Sequence, residues 1–143
     1  MRCLFLVLFL VLFVTPAFGQ NRIQYEGMIF DSNQTQWLKA AISLGYFPQG
    51  TTVKKKQITL PDGEKINIKK AHKQALRSLL KDPRATPMAW FKAMVKLGYL
   101  PADTPYFEDY AQGEAFVSLI GQDGAQMEVS LNWVRENFLA KKH

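Results

Sequence analysis

Apolar and polar residues follow two spacings along this chain, and the same succession of spacings occurs twice. Apolar residues at helical spacing are followed by short alternating runs on either side of an Asp-Gly pair, and then by a second helical stretch. The Asp-Gly pair is Asp62-Gly63 in the first passage and Asp123-Gly124 in the second. Glycine readily takes the positive φ that a tight hairpin turn needs, so each pair predicts a β-hairpin. Each half of the chain is therefore predicted to fold as an α-β-β-α unit.

The opening helix of each unit carries the strongest self-similarity in the chain. Residues 37–48 read WLKAAISLGYFP and residues 90–101 read WFKAMVKLGYLP, with seven of the twelve positions identical at an offset of 53. Trp, Lys-Ala, Leu-Gly-Tyr and Pro recur in one register, which indicates a tandem duplication. Repeat one is predicted at about 32–81 and repeat two at about 86–140.

The predicted boundaries of these helices have local chemical reasons. Thr86, which precedes a proline, has the hydroxyl that caps a helix N-terminus, and Ser32 or Asn33 does the same for the earlier helix. Gly45 and Gly98 are predicted to end the two helices in the left-handed conformation.

The fold class that follows is α+β. A unit of about 50 residues buries too little apolar surface to be stable alone. We therefore expect one domain, residues 20–143, in which both units share a core. In it the antiparallel hairpins join into one four-stranded sheet with helices packed on it. Because large aromatic side chains are mostly buried, we expect Trp37, Trp90 and Trp133 in this core.

The first nineteen residues have the pattern of a signal peptide. Arg2 precedes an unbroken apolar run, Leu4–Val14, and Ala17-Phe18-Gly19 provides small residues at the two positions that signal peptidase reads. The run is shorter than the roughly 20 residues that span a bilayer. We therefore expect cleavage before Gln20, no transmembrane anchor in the mature chain, and a periplasmic or secreted location.

The remaining chemistry-bearing residue types argue against most enzyme classes. Cys3 is the single cysteine and lies within residues 1–19, so the mature chain has no disulfide, which favours a bacterial envelope protein. The two histidines are His72, on a lysine-rich helix, and the terminal His143. A metal site or a catalytic triad needs more partners than these provide. No cofactor, metal site or catalytic residue is predicted.

Net charge is distributed unevenly between the two halves. Residues 20–85 carry a formal charge of +7 and residues 86–143 carry −2. Basic residues precede the first hairpin, close its turn and recur every fourth position on the following helix, where they form one stripe. Such a surface attracts anions, although it is also typical of the solvated face of an amphipathic helix. The candidate binding residues are Lys54, Lys55, Lys56, Lys65, Lys69, Lys70, Lys73, Arg77 and Lys81.

These observations predict an exported, non-catalytic binding protein that acts through the basic face on an anionic envelope polymer or an acidic protein surface. Export disfavours nucleic acid as the partner. The charge asymmetry also allows a salt-dependent homodimer, in which the basic half of one chain meets the acidic half of another.

Two alternatives remain open. Small size, export and the lack of catalytic groups equally fit a secretion-system or immunity-type interaction partner. The second alternative is a small cell-wall hydrolase, in which two carboxylates flank the bond that is cleaved. Its candidate residues lie in the long connection 102–114 and are Tyr106, Glu108, Asp109, Tyr110 and Glu114.

Overall fold

The computed structural model describes residues 22–141, and within them the chain divides into two compact units at the bond between Ile68 and Lys69. The predicted signal peptide and its cleavage site lie outside the described residues. No helix within 22–141 is long and apolar enough to cross a membrane. The expectation of a single domain with a shared core stays a prediction.

The described part of the first unit, residues 22–68, contains two helices and a small sheet. Residues 22–28 form α1. The elements that follow are α2 (Gln34–Ser43), β1 (Thr52–Lys54), β2 (Gln57–Thr59) and β3 (Lys65–Asn67). The next helix, α3 (Ile68–Lys81), begins directly after β3 and belongs to the second unit from Lys69 onward.

The second unit continues from α3 with the same kinds of element. Its further elements are α4 (Pro87–Lys96), β4 (Tyr106–Asp109), β5 (Glu114–Ile120), β6 (Gln126–Ser130) and α5 (Leu131–Ala140). Along the chain, the series α2 to α3 and the series α4 to α5 therefore have the same order of a helix, three strands and a helix.

The strands form two separate antiparallel sheets, with the orders β1-β2-β3 and β4-β5-β6. The α+β class is thus confirmed, whereas the expected four-stranded sheet is wrong. Each predicted hairpin also has a third strand, β1 or β4, that the α-β-β-α pattern missed. These strands are three and four residues long. So short a run cannot show an alternating pattern, and its pairing depends on the neighbouring strand.

The local signals in the sequence give the correct helix ends and turns. Asn33 Oδ1 accepts hydrogen bonds from the first turn of α2, and Thr86 Oγ1 accepts one from Ala89 N in α4. Gly45 and Gly98 have φ values of 84° and 82° after the two helices. Both Asp-Gly pairs form the turns of the predicted hairpins.

Apolar side chains are buried in both units, but one predicted core residue is exposed. Trp37 in the first unit is 2% exposed, and Trp90 in the second packs against a core that includes Met94 and Val117. Trp133 is 56% exposed, so its predicted burial is wrong. The reason is helical phase: α5 turns Leu131, Val134 and Arg135 inward, and Trp133 lies between these positions.

Candidate functional site

The sheet of the first unit has one apolar and one polar face. Val53, Ile58 and Ile66 are cross-strand partners and therefore share the apolar face, where Ile58 is fully buried. Side chains alternate along each strand, so the neighbouring positions lie on the opposite face. That face consists of Thr52, Lys54, Gln57, Thr59, Lys65 and Asn67.

The polar face, together with the β1–β2 turn, forms an open depression of about 870 Å³, which we call the lysine depression. Four exposed lysines and three neutral polar residues line it, and none of the described lining residues is a carboxylate. The seven residues are Lys54, Lys55, Lys56, Gln57, Thr59, Lys65 and Asn67. Lysines on two strands, β1 and β3, and on the β1–β2 turn thus line one volume, where they present positive charge and hydrogen-bond donors to the same ligand.

The turn that joins β1 to β2 holds a lysine in a strained conformation. Lys54 pairs with Gln57, which leaves Lys55 and Lys56 as a two-residue hairpin loop. Lys55 has φ 57°, and among the described residues it is the single residue other than glycine with positive φ. A two-residue loop with positive φ at its first position favours glycine there, because a Cβ in the left-handed region costs roughly 1–2 kcal/mol.

The remaining predicted cations lie along α3. Lys69, Lys73, Arg77 and Lys81 are exposed and recur at every fourth position, so they form the predicted stripe, and Lys70 is exposed beside it. The buried side of the helix contains Ala71, Ala75, Leu76 and Leu79. The structure therefore divides the nine candidate residues between the lysine depression in the first unit and a helix face that falls in the second.

The sequence places the candidate hydrolase residues in a loop, which is wrong for four of the five. Tyr106, Glu108 and Asp109 lie in strand β4 and Glu114 begins β5, whereas Tyr110 lies in the turn between these strands. Glu108 accepts a hydrogen bond of 2.6 Å from the Tyr106 hydroxyl. Burial, and then the hydrogen bond to Glu108 and its negative charge, raise the pKa of Tyr106. The same carboxylate raises the pKa of Tyr110, whose side chain is 87% exposed. Glu108 thus interacts with the hydroxyl groups of Tyr106 and Tyr110.

The other two carboxylates of this segment have different surroundings. Asp109 Oδ1 accepts hydrogen bonds from Ala111 N and Gln112 N and so holds the β4–β5 turn. Glu114 is the cross-strand partner of Asp109 and borders a cleft of about 300 Å³ next to Trp90. Glu114 is the one carboxylate among the described residues that line this cleft. Of the three carboxylates, Glu114 borders a cleft, whereas Glu108 and Asp109 accept the hydrogen bonds described above.

Reasoning from the sequence missed three neutral residues of the lysine depression, namely Gln57, Thr59 and Asn67. A signal for them was present, because polar residues occupy alternate positions around Ile58 and Ile66. That alternation places Gln57 and Asn67 on the face of Lys54, but the side of the sheet that is solvated depends on packing.

Comparison of the chain with protein-family models, with curated proteins and with solved structures finds no match.

Proposed function

We propose that this chain is an exported binding protein that uses the lysine depression to hold an anionic polymer of the cell envelope, such as a phosphate-bearing polysaccharide. The observation that carries the proposal is the convergence of Lys54, Lys55, Lys56 and Lys65 on one open volume whose described lining contains no carboxylate. An open depression suits a segment of a long polymer, which must enter and leave at its two ends. Phosphate groups accept hydrogen bonds from ammonium, amide and hydroxyl donors, and all three kinds are present.

Backbone strain at Lys55 supports a functional reason for the lysines. Glycine or asparagine would occupy its left-handed position at lower cost. Strained residues are concentrated at binding sites, where the surrounding structure compensates for them. Lys55 therefore adds a positive charge to the lysine depression and lowers the stability of the turn.

The first turn of α3 supports the same interpretation. The N-terminus of a helix carries a partial positive charge and is stabilised by acidic side chains, by about 0.3–1 kcal/mol each. The first turn of α3 has no acidic residue and instead contains Lys69 and Lys70. These two lysines act against the helix dipole and add to the positive charge of the chain, as attraction of anions requires.

A charge-reversal experiment with a matched control tests the proposal. The double variant Lys54→Glu, Lys65→Glu alters two exposed residues of the lysine depression, and Lys39→Glu, Lys92→Glu makes the same change in net charge at exposed positions on α2 and α4. Binding of the mature chain to immobilised wall teichoic acid and to lipopolysaccharide is measured at low and at raised salt. We expect the first variant to weaken binding by at least about tenfold and the control by less than about twofold.

Equal loss in both variants would show that net charge alone drives binding and would contradict a defined site. Capture of one stoichiometric acidic protein from an envelope extract, with no binding to either polymer, would favour the secretion-system or immunity-type alternative. Release of soluble fragments from purified peptidoglycan would favour the hydrolase. Sequencing of the purified mature protein is expected to give Gln20 as its first residue.

We also propose that the two series of elements arose by tandem duplication. The proposal is supported by matching hydrogen bonds at matching positions. Gly45 N donates to Ile42 O and Gly98 N to Val95 O, both at 3.0 Å. The backbone N–H of the tyrosine that follows each glycine donates to the carbonyl five residues earlier, and the distance is 2.8 Å in both cases. Related chains that contain a single series are the observation that would support this origin further.

A further inference from the structure

We propose that the second unit contains a separate site for a free medium-chain fatty acid or a similar anion with an alkyl tail. The site is a cleft of about 430 Å³, which we call the α3–α5 cleft, between the last turns of α3 and α5. Its volume lies in the range of small-molecule pockets, about 300–1,000 Å³. It shares no lining residue with the lysine depression.

The inner part of the cleft is apolar. Leu80, which is fully buried, lines it together with two aromatic rings. The rings of Tyr99 and Phe138 are stacked, with centroids 4.8 Å apart and an angle of 18° between their planes. Apolar side chains of this kind favour an alkyl chain, because binding removes the chain from water.

Three cations surround this apolar part. Arg77 and Lys81 are exposed one turn apart on α3, and Lys141 follows α5 with its Nζ 5.6 Å from the centroid of the Phe138 ring. None of the residues that line the cleft in the described part of the chain is a carboxylate. The charge of the rim therefore complements an anionic head group and opposes a cationic one.

The negatively charged groups at the end of α3 are paired with cations and so do not repel an anion in the cleft. The last carbonyls of a helix carry a partial negative charge, which would repel a carboxylate. Here Arg135 donates hydrogen bonds to Leu80 O and Lys81 O, so its positive charge covers them. The neighbouring carboxylate of Asp82 is itself engaged by Arg84, with a distance of 3.3 Å from Nε to Oδ1. The negative groups at this end of α3, its last carbonyls and the Asp82 carboxylate, are thus paired with arginine guanidinium groups.

The cleft combines a buried apolar floor with a basic rim, so the ligand that matches both parts is a single amphiphilic anion. A soluble anion without a tail would leave the apolar part of the cleft filled with water. A neutral alkyl chain would leave the cations without a partner. Decanoate below its micelle concentration has both required features and is the probe that we choose.

Calorimetric titration of the full mature chain with sodium decanoate tests the proposal. We expect saturable binding with one site per chain, weaker binding of butanoate, and weaker binding of the uncharged decanol and of decyltrimethylammonium. The variant Lys81→Gln, Lys141→Gln is expected to weaken decanoate binding about three- to tenfold, because each exposed cation contributes up to about 1 kcal/mol. Lys92→Gln, Lys96→Gln, at exposed positions on α4, is the matched control and is expected to bind as the natural chain does.

Several outcomes would overturn the proposal. These are the absence of saturable decanoate binding, equal binding of the cationic amphiphile, and equal effects of the two variants. Binding to phosphatidylglycerol vesicles without binding of monomeric decanoate would also overturn it, since the occupant would then be a membrane surface. The Lys54→Glu, Lys65→Glu variant is expected to bind decanoate normally, so failure of this proposal and failure of the proposed function are distinguishable.

Discussion

The guanidinium carbon of Arg135 lies 4.2 Å from the centroid of the Trp90 ring, and both side chains bond to the carboxyl end of α3. Arg135 Nη2 donates to Lys81 O at 3.1 Å, and Arg135 Nε donates to Leu80 O. Trp90 Nε1 donates to the next carbonyl, Asp82 O, at 2.9 Å. Burial lowers the pKa of Arg135, while the negative charges of Glu136 and Asp82 act in the opposite direction. The Arg135 side chain thus bonds to the last two carbonyls of α3, which a helix end leaves without intrahelical partners. Trp90 Nε1 adds a second hydrogen bond to Asp82 O, which also accepts one from Ala85 N.

Replacement of Arg135 is expected to destabilise the second unit strongly. Arg135→Met keeps much of the side-chain volume but removes the charged hydrogen bonds and the cation–π contact, at a cost of about 2–4 kcal/mol. Arg77→Met, at an exposed position on α3, is the control and is expected to change the free energy of unfolding by less than about 0.5 kcal/mol. Urea unfolding measures both. Similar midpoints for the two variants would contradict the role of Arg135 at the end of α3.

The two tryptophans outside this contact are expected to differ sharply in their contribution to stability. Trp37→Ala removes a buried side chain and is expected to cost about 3–5 kcal/mol, because it leaves a cavity. Trp133→Ala removes a side chain that is mostly in water and is expected to cost less than about 1 kcal/mol. Thermal unfolding of the two variants compares them directly. A large loss of stability in Trp133→Ala would mean that its ring is covered in solution.

Relief of strain in the β1–β2 turn is expected to stabilise the protein while it weakens anion binding. Lys55→Gly places glycine at φ 57° and is expected to add about 1 kcal/mol to the free energy of unfolding. Lys56→Gly removes the same charge at a position without positive φ, where glycine is expected to cost about 0.5–1 kcal/mol. Chemical unfolding of both variants is the measurement. Destabilisation by Lys55→Gly would contradict the strain.

Alkaline titration is expected to report on the contact between Tyr106 and Glu108. The pKa of Tyr106 is raised in the folded chain by burial and then by Glu108. Its contribution to stability is therefore fully present below the unfolded pKa of about 10 and is lost as pH rises through the folded value. Glu108→Gln removes a negative charge beside Tyr106 and Tyr110 and is expected to lower both pKa values.

The absorbance of phenolate as a function of pH measures this change. Glu128→Gln, at an exposed position on β6, is the control and is expected to leave the titration of the tyrosines unchanged. Identical titrations of the Glu108 variant and the natural chain would show that the carboxylate does not influence these hydroxyl groups in solution.

The exposure of the predicted binding residues could be anticipated from the chain for a simple reason. Lysine side chains are almost always exposed, so the sequence alone predicts that these residues lie on the surface. Which of them line a common volume depends on strand pairing: Lys54 and Lys65 are eleven positions apart and lie on the same face of the sheet, on the two strands that flank β2. The α3–α5 cleft could not be predicted, because Tyr99 and Phe138 come together through the packing of separate helices.

The sequence by itself determined the features that depend on a few adjacent residues. The caps at Asn33 and Thr86, the glycine stops after α2 and α4, and the two Asp-Gly turns all involve hydrogen bonds or backbone angles within about five positions. Tertiary structure alone decided the pairing of β1 and β4 into two separate sheets, the exposure of Trp133, and the attachment of Arg135 to the end of α3. These depend on partners distant along the chain, and their free energy is gained only when water is excluded between surfaces that the chain brings together on folding.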